Sequence, residues 1–166
     1  MTRSPSPPRG AAAACFIAAG VFGTVHGGWS LYWAAGGTAL LDTVGAWALE
    51  LAREGGAGVR IGLAAIGVLK VIAAWFPWFA ATGRMRWPRW WRPAAWAGSS
   101  VLVLYGAVNA VAAAAVLGGW IEAEGADRRG LVGHAYLWDP LFALWGAALL
   151  VALVLTAPRR GSSAAA

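Results

Sequence analysis

The sequence predicts an all-α membrane protein, a bundle of four transmembrane helices with a short amphipathic helix between the first and second spans. Three observations predict it. Four apolar runs, at about residues 11–35, 61–82, 94–119 and 134–157, each match or exceed the ~20 residues that cross a bilayer as a helix. Charged residues make up 12% of the chain, against about 25% in a typical soluble domain. A water-exposed surface that poor in charge would be largely apolar and prone to association. The runs are also continuous, whereas a membrane β-strand alternates over about 10 residues.

Residues 1–10, MTRSPSPPRG, are polar, basic and proline-rich, as expected of a disordered tail. The first span follows and stops at Gly36-Gly37. A cleaved signal peptide is the rival reading, but the run exceeds the usual apolar core of about 7–15 residues. Cys15 is the only cysteine, which excludes an internal disulfide and a cysteine-rich metal site. Between spans, Leu40, Val44, Trp47 and Leu51 recur at helical spacing, with Asp42, Glu50, Arg53 and Glu54 on the other side. That pattern predicts an amphipathic helix over 38–54, lying on the membrane or capping the bundle.

The second span carries Lys70 near its middle, with Pro77 near its end as an expected kink. The loop after it interleaves Arg84, Arg86, Arg89 and Arg92 with Trp87, Trp90 and Trp91. Arginine and aromatics together can grip nucleic acid. In a ten-residue loop between spans they read instead as an anchor at the inner leaflet, arginines on anionic lipid head groups and tryptophans at the interface. The third span holds Tyr105 and Asn109, and a polar loop leads to the fourth, which opens HAYLWDP. Residues 158–166 form a second basic tail.

Charge sets the orientation. With the N-terminus inside, the inner segments hold Arg3, Arg9, Arg84, Arg86, Arg89, Arg92, Arg159 and Arg160, and the outer loops only Arg53, Arg60, Arg128 and Arg129. The excess of positive charge favours both termini in the cytoplasm of a bacterial plasma membrane.

Depth then singles out four polar residues. Counted from the outer ends of their spans, His26, Lys70 and Asn109 lie roughly 14–15 Å deep and Asp139 roughly 8 Å, at the helical rise. A charge at mid-membrane costs about 2.5–3.5 kcal/mol on insertion scales, so a Lys70–Asp139 ion pair is expected, with Asn109 and His26 nearby. Such a cluster either joins helices, at about 0.6–2 kcal/mol per contact, or forms a binding or catalytic site. Trp29 and Trp33 share the helix face of His26; with Tyr105 and Tyr136 they are the expected wall of a pocket. Asp139 has a competing structural role as a cap at the start of helix four. His26 and His134 are too far apart by helical rise to ligate one haem, so no cofactor and no metal are expected. Gly20, Gly23, Gly27 and Gly28 stand at small-x-x-x-small spacing, which favours close packing inside the bundle over dimerisation. GGAGVRIG at 55–62 lacks both the preceding strand and the lysine of a phosphate loop.

His26, Trp29, Tyr32-Trp33 and Gly36-Gly37, followed by Gly133-His134-Ala135-Tyr136-Leu137-Trp138-Asp139-Pro140 and Trp145-Gly146, resemble the bacterial membrane family known as domain of unknown function 3995. The resemblance covers most of residues 11–157. It implies a small four-helix membrane protein and supplies no activity. Three functions stay open: a non-enzymatic packing or accessory protein beside a membrane partner or a second copy, an intramembrane enzyme or binder of a small apolar ligand, and a transporter subunit. The first is favoured, and no nucleic-acid partner is expected.

Overall fold

A computed structural model describes residues 7–83 and 90–157. The chain forms four long helical columns and no strand among the described residues. Helix α1 spans Ala11–Ala34, α2 Ala46–Glu54, α3 Gly56–Ala81 and α4 Trp91–Leu117. The fourth column is one unbroken run, α5 Arg128–Gly133, a π-helical segment His134–Trp138, and α6 Asp139–Leu155. All four columns are long and apolar enough to cross a membrane.

Local chemistry explains where the elements stop. Gly36 ends α1 at φ 97°, and its N–H reaches Trp33 O at 2.9 Å while that of Gly37 reaches Tyr32 O at 2.9 Å. This is the paired-carbonyl ending that glycine's freedom at positive φ permits. The expected amphipathic helix over 38–54 is shorter than its periodicity suggested. A 3-10 turn occupies Leu41–Thr43, and Gly45, at φ 138°, separates it from α2. Asp127 starts the fourth column, its side chain accepting from Arg129 N and Gly130 N at 3.1 and 3.2 Å. The column therefore begins at Arg128, six residues before the expected His134. Pro140, which has no N–H to give to the carbonyl four residues back, stands two residues after the end of the π-helical segment that holds that carbonyl.

The columns pack in a row, α3 against α1, α1 against α6 and α6 against α4, while α3 and α4 scarcely touch. The central pair is accordingly the buried pair. Of the apolar windows of α1 and the fourth column 39% is buried, against 11% for α3 and α4. The α1–α3 contact is close because Gly27 meets Gly67 there; a β-carbon on Gly27 would stand 2.9 Å from Gly67 O. Glycines 20 and 23 likewise face Trp75, Ala74 and Trp145 within the fold, so this stripe packs inside the bundle.

Call the near end of the bundle the one at which α1 begins. Its core is Phe16, Ala19, Ala74, Trp145, Leu149, Ala152 and Leu153. At the far end Trp33, Leu41, Ala48 and Trp138 form a second cluster. Arg92 closes the near end, donating to Leu153 O at 2.9 Å and Thr156 Oγ1 at 3.2 Å, a cation on the carbonyl end of α6.

Candidate functional site

The polar residues expected at one level fall into two groups. In the first, Lys70 extends from α3 to α1, where Nζ donates to His26 Nδ1 at 3.2 Å and to Ser30 Oγ at 3.2 Å. His26 and Ser30 are one turn apart on α1 and both buried. The His26 ring lies 3.9 Å, centroid to centroid, from Phe142 of α6, and Lys70 Nζ is 5.6 Å from the same ring. Since Lys70 donates to Nδ1, the remaining hydrogen of a neutral His26 is on Nε2, which is buried with no partner among the described residues.

The second group is on the fourth column. Asp139, 1% exposed, receives His134 Nδ1 on Oδ2 at 2.9 Å. The other ring nitrogen, Nε2, is 3.2 Å from Val44 O in the connection after α1. Trp138 Nε1 donates to Thr43 O and Oγ1 of the same connection, at 3.1 and 3.0 Å. Arg129 pairs with Asp42, and Asp127 accepts from Ala46 N at 2.7 Å. Hydrogen bonds to these backbone groups hold the carboxyl of Asp127 below the usual carboxylate range, first among them the Gly130 amide. The segment 41–46 is thus strapped across the start of the fourth column.

The expected Lys70–Asp139 ion pair is therefore absent. Lys70 meets Phe142, one turn along α6 from Asp139, and takes its polar partners from α1. The reason is the row arrangement: Asp139 lines a cavity with residues of α4, and its carboxylate is buried beside His134. Asp139 is likewise no cap at the head of that column; Asp127 has that role. Asn109 is not beside Lys70 either. Its Nδ2 donates to Tyr105 O at 2.8 Å, and its side chain shares a cavity wall with His134 and Asp139.

Of the expected pocket wall, Trp29 and Trp33 pack on Trp138 with ring centroids 5.9 and 5.3 Å apart. Tyr105 lies edge-on to Phe142 and is half-exposed, and Tyr136 faces outward at 71% exposure. These four do not enclose one space. Of the expected lipid anchor, Arg84, Arg86, Trp87 and Arg89 lie outside the described residues. Trp90 is exposed, Trp91 is partly buried against the core, and Arg92 lies 5.3 Å from its ring. The residues missed at the sequence level were Ser30 and Asp127, and His134 was weighed there only as a haem ligand. Ser30 stands at i+4 from His26, and Asp127 directly precedes a helical run, so both signals were present in the sequence.

Chemically, an imidazole–carboxylate couple resembles half of a nucleophilic triad. Here the imidazole nitrogen that would serve as base is taken by Val44 O. No group of three or more potential metal ligands occurs among the described residues. Fold and polar groups together define a multi-pass helical membrane protein. Its family follows from a match over residues 21–149 to the model described as "Protein of unknown function (DUF3995)", and the chain belongs to that family. No curated protein and no solved structure matches it.

Proposed function

We propose that the chain is a non-enzymatic membrane protein of the bacterial plasma membrane, both ends cytoplasmic, which packs as an accessory subunit beside another membrane protein or a second copy. One observation carries the reading: each buried ionisable group has a polar contact that ties one element to another, although His26 Nε2 has no partner among the described residues. Lys70 joins α3 to α1, and Asp139 with His134 joins the fourth column to the strap. Polar contacts of this kind hold membrane helices together and need do no chemistry. The apolar outer sides of α3 and α4, with Leu69, Leu104 and Val108 each about two-thirds exposed, supply the surface for a neighbour. The arginine excess in the inner segments supports the orientation, and anionic head groups are the lipid partners of the 84–92 loop.

The test is photocrosslinking from Leu69 and Val108 in native membranes, with native mass spectrometry of the gently extracted protein. Discrete protein adducts and a stoichiometric complex are expected, unchanged in a Lys70→Met, His26→Leu protein that folds. Lipid adducts alone, with a monomer in the spectrometer, would overturn the reading.

A further inference from the structure

A cavity of about 270 Å³ lies between α4 and the fourth column, with Asn109, Ala113, Val116, Leu131, His134 and Asp139 in its wall. Asn109, Ala113 and Val116 stand at i, i+4 and i+7, one stripe of α4. The π-helical segment His134–Trp138 belongs to the facing wall, and such segments recur at functional sites. The polar atoms here are incompletely used. Asp139 Oδ2 is held by His134, the one hydrogen bond this almost fully buried carboxylate makes among the described residues. Asn109 gives one amide hydrogen to Tyr105 O and keeps a second hydrogen and its carbonyl oxygen.

The charge of the site is fixed by its hydrogen bonds. Val44 O can only accept, so His134 Nε2 carries a hydrogen. The Nδ1–Oδ2 contact then holds one further proton, and the couple is neutral whichever partner keeps it. A charged guest would bring an uncompensated charge to membrane depth, which is costly. A neutral guest with one donor and one acceptor meets no such cost. A hydroxyl has that form: its hydrogen goes to Asp139 Oδ1, and its oxygen accepts the free amide hydrogen of Asn109. The rest of the wall asks for an apolar body.

We infer that this open-sided cavity binds a small apolar alcohol, its hydroxyl held between Asp139 and Asn109 and its hydrocarbon against Ala113, Val116 and Leu131. The site is separate from the Lys70–His26 contact and does not depend on the packing role. Two sources carry this chemistry, a water-borne short alcohol and an alcohol dissolved in the bilayer. His134 and Leu131 also line a second cavity, whose other walls include Val44, Gly45, Ala46 and Trp47 at the strap.

The test uses full-length protein in phosphatidylcholine nanodiscs and saturation-transfer NMR with 1-hexanol, hexane, hexylamine and hexanoate. Saturable binding of 1-hexanol is expected, with hexane at least about fivefold weaker, as loss of a hydrogen bond to a charged or buried group implies, and with hexylamine and hexanoate weaker because their charge is uncompensated at that depth. Asn109→Leu should weaken 1-hexanol by about fivefold or more on the same grounds. Val116→Phe should abolish binding by filling the cavity, and His26→Ala, in the other polar group, should leave it unchanged. Competition by 1-dodecanol assigns the source to the bilayer, and its failure to compete assigns it to water. The inference is overturned if hexane or either charged probe binds as tightly as 1-hexanol, or if the folded Asn109→Leu and Val116→Phe proteins bind it like the native chain.

Discussion

Gly27→Ala is the sharpest test of the packing argument. Its β-carbon would lie 2.9 Å from Gly67 O, 3.0 Å from Val71 Cγ2 and 3.2 Å from Lys70 Cβ. Carbon contacts prefer about 3.5–4.0 Å, and the nearest obstacle is backbone, so α3 must retreat from α1 by roughly 0.5–1 Å. Overpacking of this kind costs about 1–3 kcal/mol. The same retreat stretches the two 3.2 Å bonds of Lys70 to His26 and Ser30, each contributing about 0.6 kcal/mol on membrane averages. Replacing glycine by alanine within a helix returns about 0.5–1 kcal/mol, leaving a net loss of about 2 kcal/mol. Gly28→Ala supplies the control, since a β-carbon there meets nothing within 4 Å and keeps only the gain. Reversible unfolding in mixed micelles should place Gly28→Ala at or above the native protein and Gly27→Ala about 2–3 kcal/mol below that variant, with the oligomeric state unchanged. Equal stabilities would refute the close α1–α3 crossing. A Gly27→Ala protein that instead dissociates from an oligomer would assign the stripe to a subunit seam.

Trp138→Phe keeps the ring against Trp29 and Trp33 but removes the N–H that reaches Thr43, so stability should fall by about 1 kcal/mol, and hydrogen exchange should quicken first in residues 41–48. The strap also has an acid limit. Asp127 is depressed in the folded protein by the amides it accepts from, so its contribution is complete above the ordinary carboxylate range. It is lost only as pH falls through the lower folded value. The exchange rate of the Ala46 amide should therefore rise below the usual aspartate range and not between neutral pH and 5. In Asp127→Asn that acid step should vanish, and a step near neutral pH in the native protein would contradict the assignment.

The four columns were legible because each is set by length and composition, two properties that tertiary context does not alter in lipid. Where a polar side chain points was not. The depths of His26 and Lys70 matched, and the two do meet. Counted from Arg128, where Asp127 caps the column, Asp139 lies roughly 17 Å deep at the helical rise, close to the level of Lys70, so it is direction and not depth that separates the two. A π-helical segment then changes the angular register by an amount that a 3.6-residue period does not contain. The break in the predicted amphipathic helix has a similar cause. Gly45, at φ 138°, interrupts a periodicity that side-chain pattern alone carries straight through.

The row arrangement has a further consequence for how specificity is distributed. In a closed four-helix ring every column buries one stripe against two neighbours. Here α1 and the fourth column are buried on two sides while α3 and α4 are covered on one. Lipid tails are as apolar as leucine, so the exposed sides of α3 and α4 contribute no hydrophobic drive to their own placement. What fixes α3 must lie on its single covered side, where Gly67 admits α1 closely and Lys70 reaches two polar partners. What fixes α4 lies on its own covered side, where Gly106 approaches the backbone at Asp139 and Ala143 and Ser99 is buried. A bulky substitution at Leu69 or Val108 should then leave the fold intact, and one at Gly67 or Gly106 should not. A neighbour that docks on the open side of α3 or α4 meets a surface whose position is already determined from the opposite side. That is why those two sides can receive an accessory contact without reorganising the polar groups between the columns.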